Sequence, residues 1–291
     1  MGVRIRLSDR LERAAGLDRV VEPLQQVVRK LPPGGVRDAL HGVWLGHPVH
    51  PVLVQVPVGA FMSAGFLDAL GADGATSLIG LGLAASVPAA LAGSADWAEQ
   101  HEQQMRTGVV HAAANSAAIG LYAASLLARA RRRTGLGKAL GYAGLAAVAV
   151  GGLLGGDISY RQAGGANHAE ETPHLVTPGW QDLMPLADLR PGEPAKAAVG
   201  EVPVFVLRDA DQVFVLANKC SHMSGPLADG ELSDSVLTGG GEDRCVTCPW
   251  HGSVFRLRDG AVVHGPATAD QPAFATRIEA GIVQVCLPGA G

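Results

Sequence analysis

Apolar residues fall at Leu11, Ala14, Ala15, Val20, Val21, Leu24, Val27, Val28 and Leu31, with arginines and glutamates between them. That is close to helical spacing and predicts one or two amphipathic helices over residues 8–30, broken near Gly16. Such a helix either packs on the rest of the protein or lies among lipid headgroups. Four longer stretches follow, roughly 51–70, 77–95, 107–127 and 139–156, almost without charge. Each approaches the ~20 residues that cross a ~30 Å hydrocarbon layer. Trp44, Trp97, Tyr142 and Tyr160 stand near their ends, where amphipathic rings settle at a membrane surface. A soluble all-α core would use shorter helices with more polar faces. Gly151, Gly152, Gly155 and Gly156 make two overlapping small-xxx-small repeats, which allow close backbone approach in lipid and predict an internal packing helix.

From residue 157 to about 194 the chain turns to Gly, Pro, Asn, His and Glu with little periodicity, as a linker does. The period then becomes two. Runs at 202–208 and 212–217, at 254–257 and 261–263, and at 273–278 and 282–287 are separated by short polar or glycine turns, which predicts hairpins of a small antiparallel β domain. The expected organisation is an amphipathic segment (1–45), a four-helix transmembrane domain (46–165), a linker (166–190) and a β domain (191–291). The fold class is multi-domain: an N-terminal all-α transmembrane four-helix bundle plus a C-terminal all-β antiparallel sandwich.

Composition agrees with a membrane component. Hydrophobic residues make up 47% of the 291 and charged residues 17%, against roughly 25% charged in soluble chains, and the mean hydropathy is +0.19. A net charge of −4, without a basic stripe interleaved with aromatics, argues against a nucleic-acid partner. The start, MGVRIRLSDRLERAAG, has no apolar run behind its cations, so a cleaved secretory signal is not expected, and no Ser or Thr follows Gly2 where myristoylation would want one. The third loop, with Arg129, Arg131, Arg132, Arg133 and Lys138, favours a cytoplasmic position for itself, whereas the N-terminal flank (Arg4, Arg6, Arg10, Arg13, Arg19, Arg29, Lys30 and Arg37) favours one for the termini.

All four cysteines lie in the last quarter of the chain, too few for a disulfide scaffold. Two segments combine thiol and imidazole: Cys220-Ser-His222-Met-Ser-Gly-Pro-Leu and Cys248-Pro-Trp-His251-Gly-Ser-Val-Phe. Such a set can close a tetrahedral zinc site, or hold a diiron cluster with both thiolates on one iron and both imidazoles on the other. Zinc sites usually pair like with like on each turn, whereas here each loop supplies one of each. Over about residues 190–290 these motifs, with the G-P-L turn after C-x-H and the aromatic and D-G hairpin after C-P-W-H-G-S, resemble the Rieske family. The resemblance implies a [2Fe-2S] cluster held by Cys220, His222, Cys248 and His251 in a Rieske-type β-sandwich.

Two departures qualify that resemblance. The 25 residues between His222 and Cys248 exceed the usual spacing, and residues 233–244, with Gly239, Gly240 and Gly241, read as an inserted surface loop, which costs little closure entropy. The extra loop cysteines of respiratory Rieske proteins are absent. This places the chain nearer the ferredoxin and oxygenase branch, which implies a potential toward the low end of a range of roughly −150 to +300 mV and fits a reducing compartment. The expected location is a bacterial inner membrane, with the Rieske domain on the cytoplasmic side.

Pro249 and Trp250 are expected to shield the cluster, and Gly225 and Gly252 to permit tight turns whose amides face sulfur. Cys245 and Cys286 read as strand residues of the core, and His264 as a loop residue. Upstream, Gly46-His47-Pro-Val-His50-Pro, then His111 and Asn115, then Gly-Gly-Asp157-Ile-Ser-Tyr160, resemble an uncharacterised family of four-helix bacterial membrane domains (about 43–165). Ionisable groups in lipid are functional candidates. His47, His50 and His111 are either polar residues bonded within the bundle or ligands of a b-type haem.

The function expected is that of a one-electron carrier, anchored in membrane lipid, between a reductase and a membrane or oxygenase acceptor. It is an electron-transfer component rather than a complete enzyme, since no second His/His/Asp iron site follows the cluster motif. The alternatives are a non-redox membrane module with structural zinc or a labile cluster, and a haem or quinone oxidoreductase using the bundle histidines.

Overall fold

A computed structural model describes residues 6–236 and 242–288. Gly239, Gly240, Gly241 and Arg4 therefore lie outside the described residues. The chain divides into two compact units, one of Met1–Pro32 with Pro48–Gly164 and one of Pro33–His47 with Gly165–Gly291.

In chain order the helices are α1 (Arg6–Glu12), α2 (Asp18–Val28), α3 (Gly35–His41, in the second unit), α4 (His50–Leu53), α5 (Gln55–Leu70), α6 (Ala75–Ala98), α7 (Glu102–Ala130), α8 (Thr134–Gly156) and α9 (Thr172–Leu175, also in the second unit). The break expected near Gly16 falls between α1 and α2, where Ala15–Leu17 forms a single 3-10 turn. Four helical spans, His50–Leu70, Ala75–Ala98, Glu102–Ala130 and Thr134–Arg161, are long and apolar enough to cross a membrane by length and composition. Gly71 and Gly74 adopt positive φ and turn the chain between α5 and α6.

The fourth helix is not internal. Its buried positions, Gly137, Gly141, Gly144, Gly151 and Leu154, form one face, while Leu136, Val150 and Leu153 are exposed. Each glycine makes room for a larger residue of α7. A methyl at Gly137 would meet Arg129, one at Gly141 Ser125, one at Gly144 Tyr122, one at Gly151 Asn115 and one at Gly155 His111. One antiparallel register holds along the whole interface, with the polar side chains of α7 set against a stripe of small residues. Gly152 and Gly156 face open space, so only one of the two overlapping repeats is used. At the far end of α7, Arg129 forms an ion pair with Asp68, both buried, and Lys138 donates to the Asp68 carbonyl at 2.8 Å.

Among the described residues the second unit holds ten strands: β1 (Gln181–Pro185), β2 (Pro194–Val199), β3 (Val202–Asp209), β4 (Gln212–Ala217), β5 (Glu231–Val236), β6 (Glu242–Thr247), β7 (Val254–Arg256), β8 (Val262–His264), β9 (Ala273–Glu279) and β10 (Ile282–Cys286). They form a six-stranded sheet, β1-β10-β9-β4-β3-β2, and a four-stranded sheet, β5-β6-β7-β8, with every pairing between these strands antiparallel. Strand β3 is buried on both faces. Val204 and Val206 enter one core with Val213, Val215, Val283 and Val285, and Phe205 and Leu207 enter another with Leu216, Leu227, Val246, Phe255, Cys220 and Cys248. That is why its sequence is almost continuously apolar rather than alternating.

Three expectations need correction here. The stretch read as linker contains β1, which seals the edge of the larger sheet against β10. The stretch read as an inserted loop is largely a β-hairpin, with Asp234 opposite Arg244 and Val236 opposite Glu242. His264 closes β8 rather than lying in a loop, and its Nδ1 meets Asp38 Oδ2 at 2.9 Å, while the Gly265 amide donates to Asp38 Oδ1 at 2.9 Å. These bonds tie α3 to the β domain.

Candidate metal centre

The two Cys–His segments fold as variants of one loop. In the first, the Ser224 amide donates to the Cys220 carbonyl (2.9 Å) and the Cys220 amide to the Gly225 carbonyl (2.9 Å); in the second, Gly252 donates to Cys248 (3.1 Å) and Cys248 to Ser253 (2.8 Å). In both, the residue four after the cysteine has positive φ, 67° at Ser224 and 76° at Gly252. This reversal turns the intervening amides inward. The N–H groups of His222 and Met223 point at the Cys220 sulfur, and those of Trp250 and His251 at the Cys248 sulfur. A thiolate gains from such donors, which compensate its buried charge.

The loops bring the four sequence-predicted residues together in two pairs. The Cys220 thiol donates to Cys248, and the rings of His222 and His251 stand edge to face with centroids 5.0 Å apart. The shared bond from Cys220, with the amides of Trp250 and His251, holds the Cys248 thiol down at about 7 against the opposing effect of burial. Donating that bond, together with burial, pushes Cys220 well up. Among the described residues no three His, Cys, Asp or Glu side chains converge as the ligands of one ion. A diiron cluster asks for something else, a sulfur pair on one iron and an imidazole pair on the next, and the donor set fits that demand.

The walls of the site are as informative as the donors. A methyl at Gly225 would lie 2.7 Å from Cys248 Sγ and 3.1 Å from Trp250 Cγ, so its glycine is needed for clearance; the unusual backbone belongs to its neighbour Ser224. Trp250 covers this side yet remains 49% exposed. A third loop, unforeseen in the sequence, supports the first two. Buried Gln271 accepts from the Ser221 amide (2.9 Å) and donates to the carbonyls of Ala217 and Lys219 (2.7 Å each). Ser253 Oγ accepts from the Ala267 amide at 2.9 Å, and Ser221 Oγ donates to the Ala269 carbonyl at 2.7 Å. His168, from the stretch read as linker, meets Ser224 Oγ at 3.2 Å through Nδ1.

The remaining candidates lie elsewhere. Cys245 is buried on β6 and Cys286 partly buried on β10. His47 is exposed ahead of α4. In the helical unit His50 Nδ1 bonds the Ala89 carbonyl and His111 Nδ1 the Gly151 carbonyl, at 2.8 Å each, with ring centroids 6.4 Å apart. Asn115 Nδ2 lies 3.1 Å from His111 Nε2.

With this geometry in hand, the comparisons with known proteins divide along the same lines. Residues 179–275 match the Rieske [2Fe-2S] domain, and residues 46–168 match a family described as predicted membrane protein (DUF2231). The anthranilate 1,2-dioxygenase ferredoxin subunit of Burkholderia cepacia is 31% identical over 106 residues, 36% of this chain and 90% of that protein. The 3-phenylpropionate/cinnamic acid dioxygenase ferredoxin subunit of Escherichia coli (strain K12) is 30% identical over 107 residues, 36% of this chain and 92% of that one. Among solved structures, the ferredoxin of carbazole 1,9a-dioxygenase from Nocardioides aromaticivorans IC177 aligns with a TM-score of 0.33 at 27% identity, over 37% of this chain and 97% of that chain.

The family match and the ferredoxin relatives define the β domain as a Rieske domain of ferredoxin type. The chain belongs to the Rieske [2Fe-2S] family, its Rieske domain preceded by a DUF2231 domain. The Rieske domain implies a [2Fe-2S] cluster as its cofactor.

Proposed function

We propose that the protein is a membrane-anchored one-electron carrier whose cluster is held by Cys220 and Cys248 on one iron and by His222 and His251 on the other. The observation that carries this reading is the pairing of like donors from unlike loops: thiol meets thiol and ring meets ring, although each loop supplies one of each. When bound, the cluster supplies storage of a single electron. The chain's own residues do the rest. The amides of His222, Met223, Trp250 and His251 stabilise negative charge on the sulfurs, and Gly225 lets Trp250 close over Cys248. Both imidazoles are partly exposed; a ring ligating through one nitrogen keeps a second N–H to offer a docking partner or release as a proton.

The partners are a reductase as donor and an oxygenase or membrane protein as acceptor, by analogy with the dioxygenase ferredoxin subunits among the relatives. Residues 46–165 serve as the anchor in a bacterial inner membrane, and the domain of strands β1 to β10, with the segment around His168 that meets its first loop, serves as the electron carrier on the cytoplasmic side. Anaerobic purification of the full chain tests the reading. It predicts absorbance at 400–500 nm, two irons per chain and a Rieske-type EPR signal on reduction, all lost in Cys220→Ser and His251→Ala. A colourless protein with one zinc per chain overturns it.

A further inference from the structure

The helical unit carries an apolar surface that its own packing does not use. Helix α2 is fastened to the end of the bundle by one face. Asp18 takes a two-pronged bond from Arg106 at 2.6 and 2.7 Å, Val21 is buried, Gln25 donates to the Ala98 carbonyl at 2.7 Å, and Arg29 pairs with buried Glu99 at 3.0 Å. These contacts fall where α6 ends and α7 begins. Helix α1 docks on the same end, since Asp9 and Glu12 both pair with Arg161 beyond α8. Trp97 and Tyr160, the latter almost fully exposed, stand at this end as interfacial residues do.

Docking residues 18, 21, 25 and 29 recur with helical period, and at about 100° per residue they leave a second face for Val20, Leu24 and Val27, continued by Leu31. All four are exposed, Val27 to 62%. Between the two faces runs a polar flank of Arg19, Glu22, Gln26 and Lys30. Charge is unevenly spent. Asp9, Glu12 and Asp18 are consumed in holding the segment to the bundle, whereas Arg10, Arg13, Arg19 and Lys30 are exposed.

We infer that α2 is an interfacial helix, its Val20, Leu24, Val27 and Leu31 face sunk among acyl chains at the rim of the bundle and its exposed cations against anionic lipid headgroups. The occupant follows from continuity and charge. The apolar face adjoins the end of helices long enough to span a bilayer, and an amphipathic helix with basic flanks binds such a surface through both terms. The inference rests on the bundle lying in a membrane.

The test uses the full chain in nanodiscs containing a photoactivatable phosphatidylglycerol, with adducts mapped by mass spectrometry. Adducts are expected at Val20, Leu24 and Val27 as well as on α5 to α8. Replacing phosphatidylglycerol by a photoactivatable phosphatidylcholine, or introducing Leu24→Glu with Val27→Glu, should lower the α2 yield about fivefold or more while leaving the α5 to α8 yield unchanged. Adducts on the bundle with none on α2 would overturn the inference and leave the anchor intact. Adducts nowhere would remove the anchor itself.

Discussion

Ser224 and Gly252 occupy the same place in two loops, four residues after Cys220 and Cys248, and both take positive φ. Only glycine does so without steric cost. Ser224→Gly should therefore shift stability by less than about 1 kcal/mol, because relief of strain offsets the added freedom of the unfolded chain and the loss of the Ser224 Oγ bond to His168. Gly252→Ala adds strain and should cost about 1–2 kcal/mol. Thermal unfolding of the iron-loaded protein in detergent checks the pair. A larger loss in Ser224→Gly would show that the two loops are not equivalent.

Gln271 splints the first loop by satisfying one amide and two carbonyls. Gln271→Ala strands those groups in a buried site, at about 1–3 kcal/mol for each left unpaired. The expected result is a drop of several kcal/mol in unfolding free energy and faster iron loss to a chelator. Unchanged release kinetics would argue that water replaces the side chain.

The glycine stripe of α8 supplies a matched pair of variants. A methyl at Gly151 would fall within 2.5 Å of Asn115 Oδ1, whereas one at Gly152 meets nothing within 4 Å. Gly151→Ala should destabilise the bundle by about 1–3 kcal/mol through overpacking. Gly152→Ala should be neutral or gain up to about 1 kcal/mol from helix propensity. Unfolding in mixed micelles distinguishes them, and equal effects would contradict the observed register.

Asp18 sits below its ordinary carboxylate value because Arg106 bonds and attracts its charged form. A group lowered on folding contributes stability above its unfolded value of 3.8, and that contribution is lost as pH falls through the folded value. The protection of α2 amides, corrected for the intrinsic exchange rate at each pH, should thus fall below pH 3.8 in the wild type. Asp18→Asn should exchange faster already at pH 6 and show a weaker acid dependence. Hydrogen exchange resolved by peptide provides the readout.

The sequence disclosed these features unevenly, for physical reasons. The four long apolar helices and the β3–β4 and β9–β10 hairpins were legible because apolar runs and alternation are local signals. Strand β1, Gln181-Asp-Leu-Met-Pro185, was hidden because an edge strand pairs on one side and keeps polar residues. Strand β2 is rich in alanine, which has little β preference, and β5 and β6 carry Glu and Asp, which strands disfavour. The convergence of Cys220 with Cys248 and of His222 with His251 could be anticipated because the four lie within two short segments of matching pattern. Gln271, His168 and Asp38 could not, since each acts on residues about 50 or more positions away and carries no local motif. The α7–α8 register was half visible: the small-residue repeats pointed to close packing, but only the structure selects Gly151 and Gly155 over Gly152 and Gly156.

The account rests most directly on the nitrogen ligands of one iron. Pulsed EPR of the dithionite-reduced protein, grown with nitrogen-15 histidine, should resolve two strongly coupled imidazole nitrogens. No strong histidine coupling in an intact reduced [2Fe-2S] centre, or two couplings that persist in both His222→Ala and His251→Ala, would contradict it.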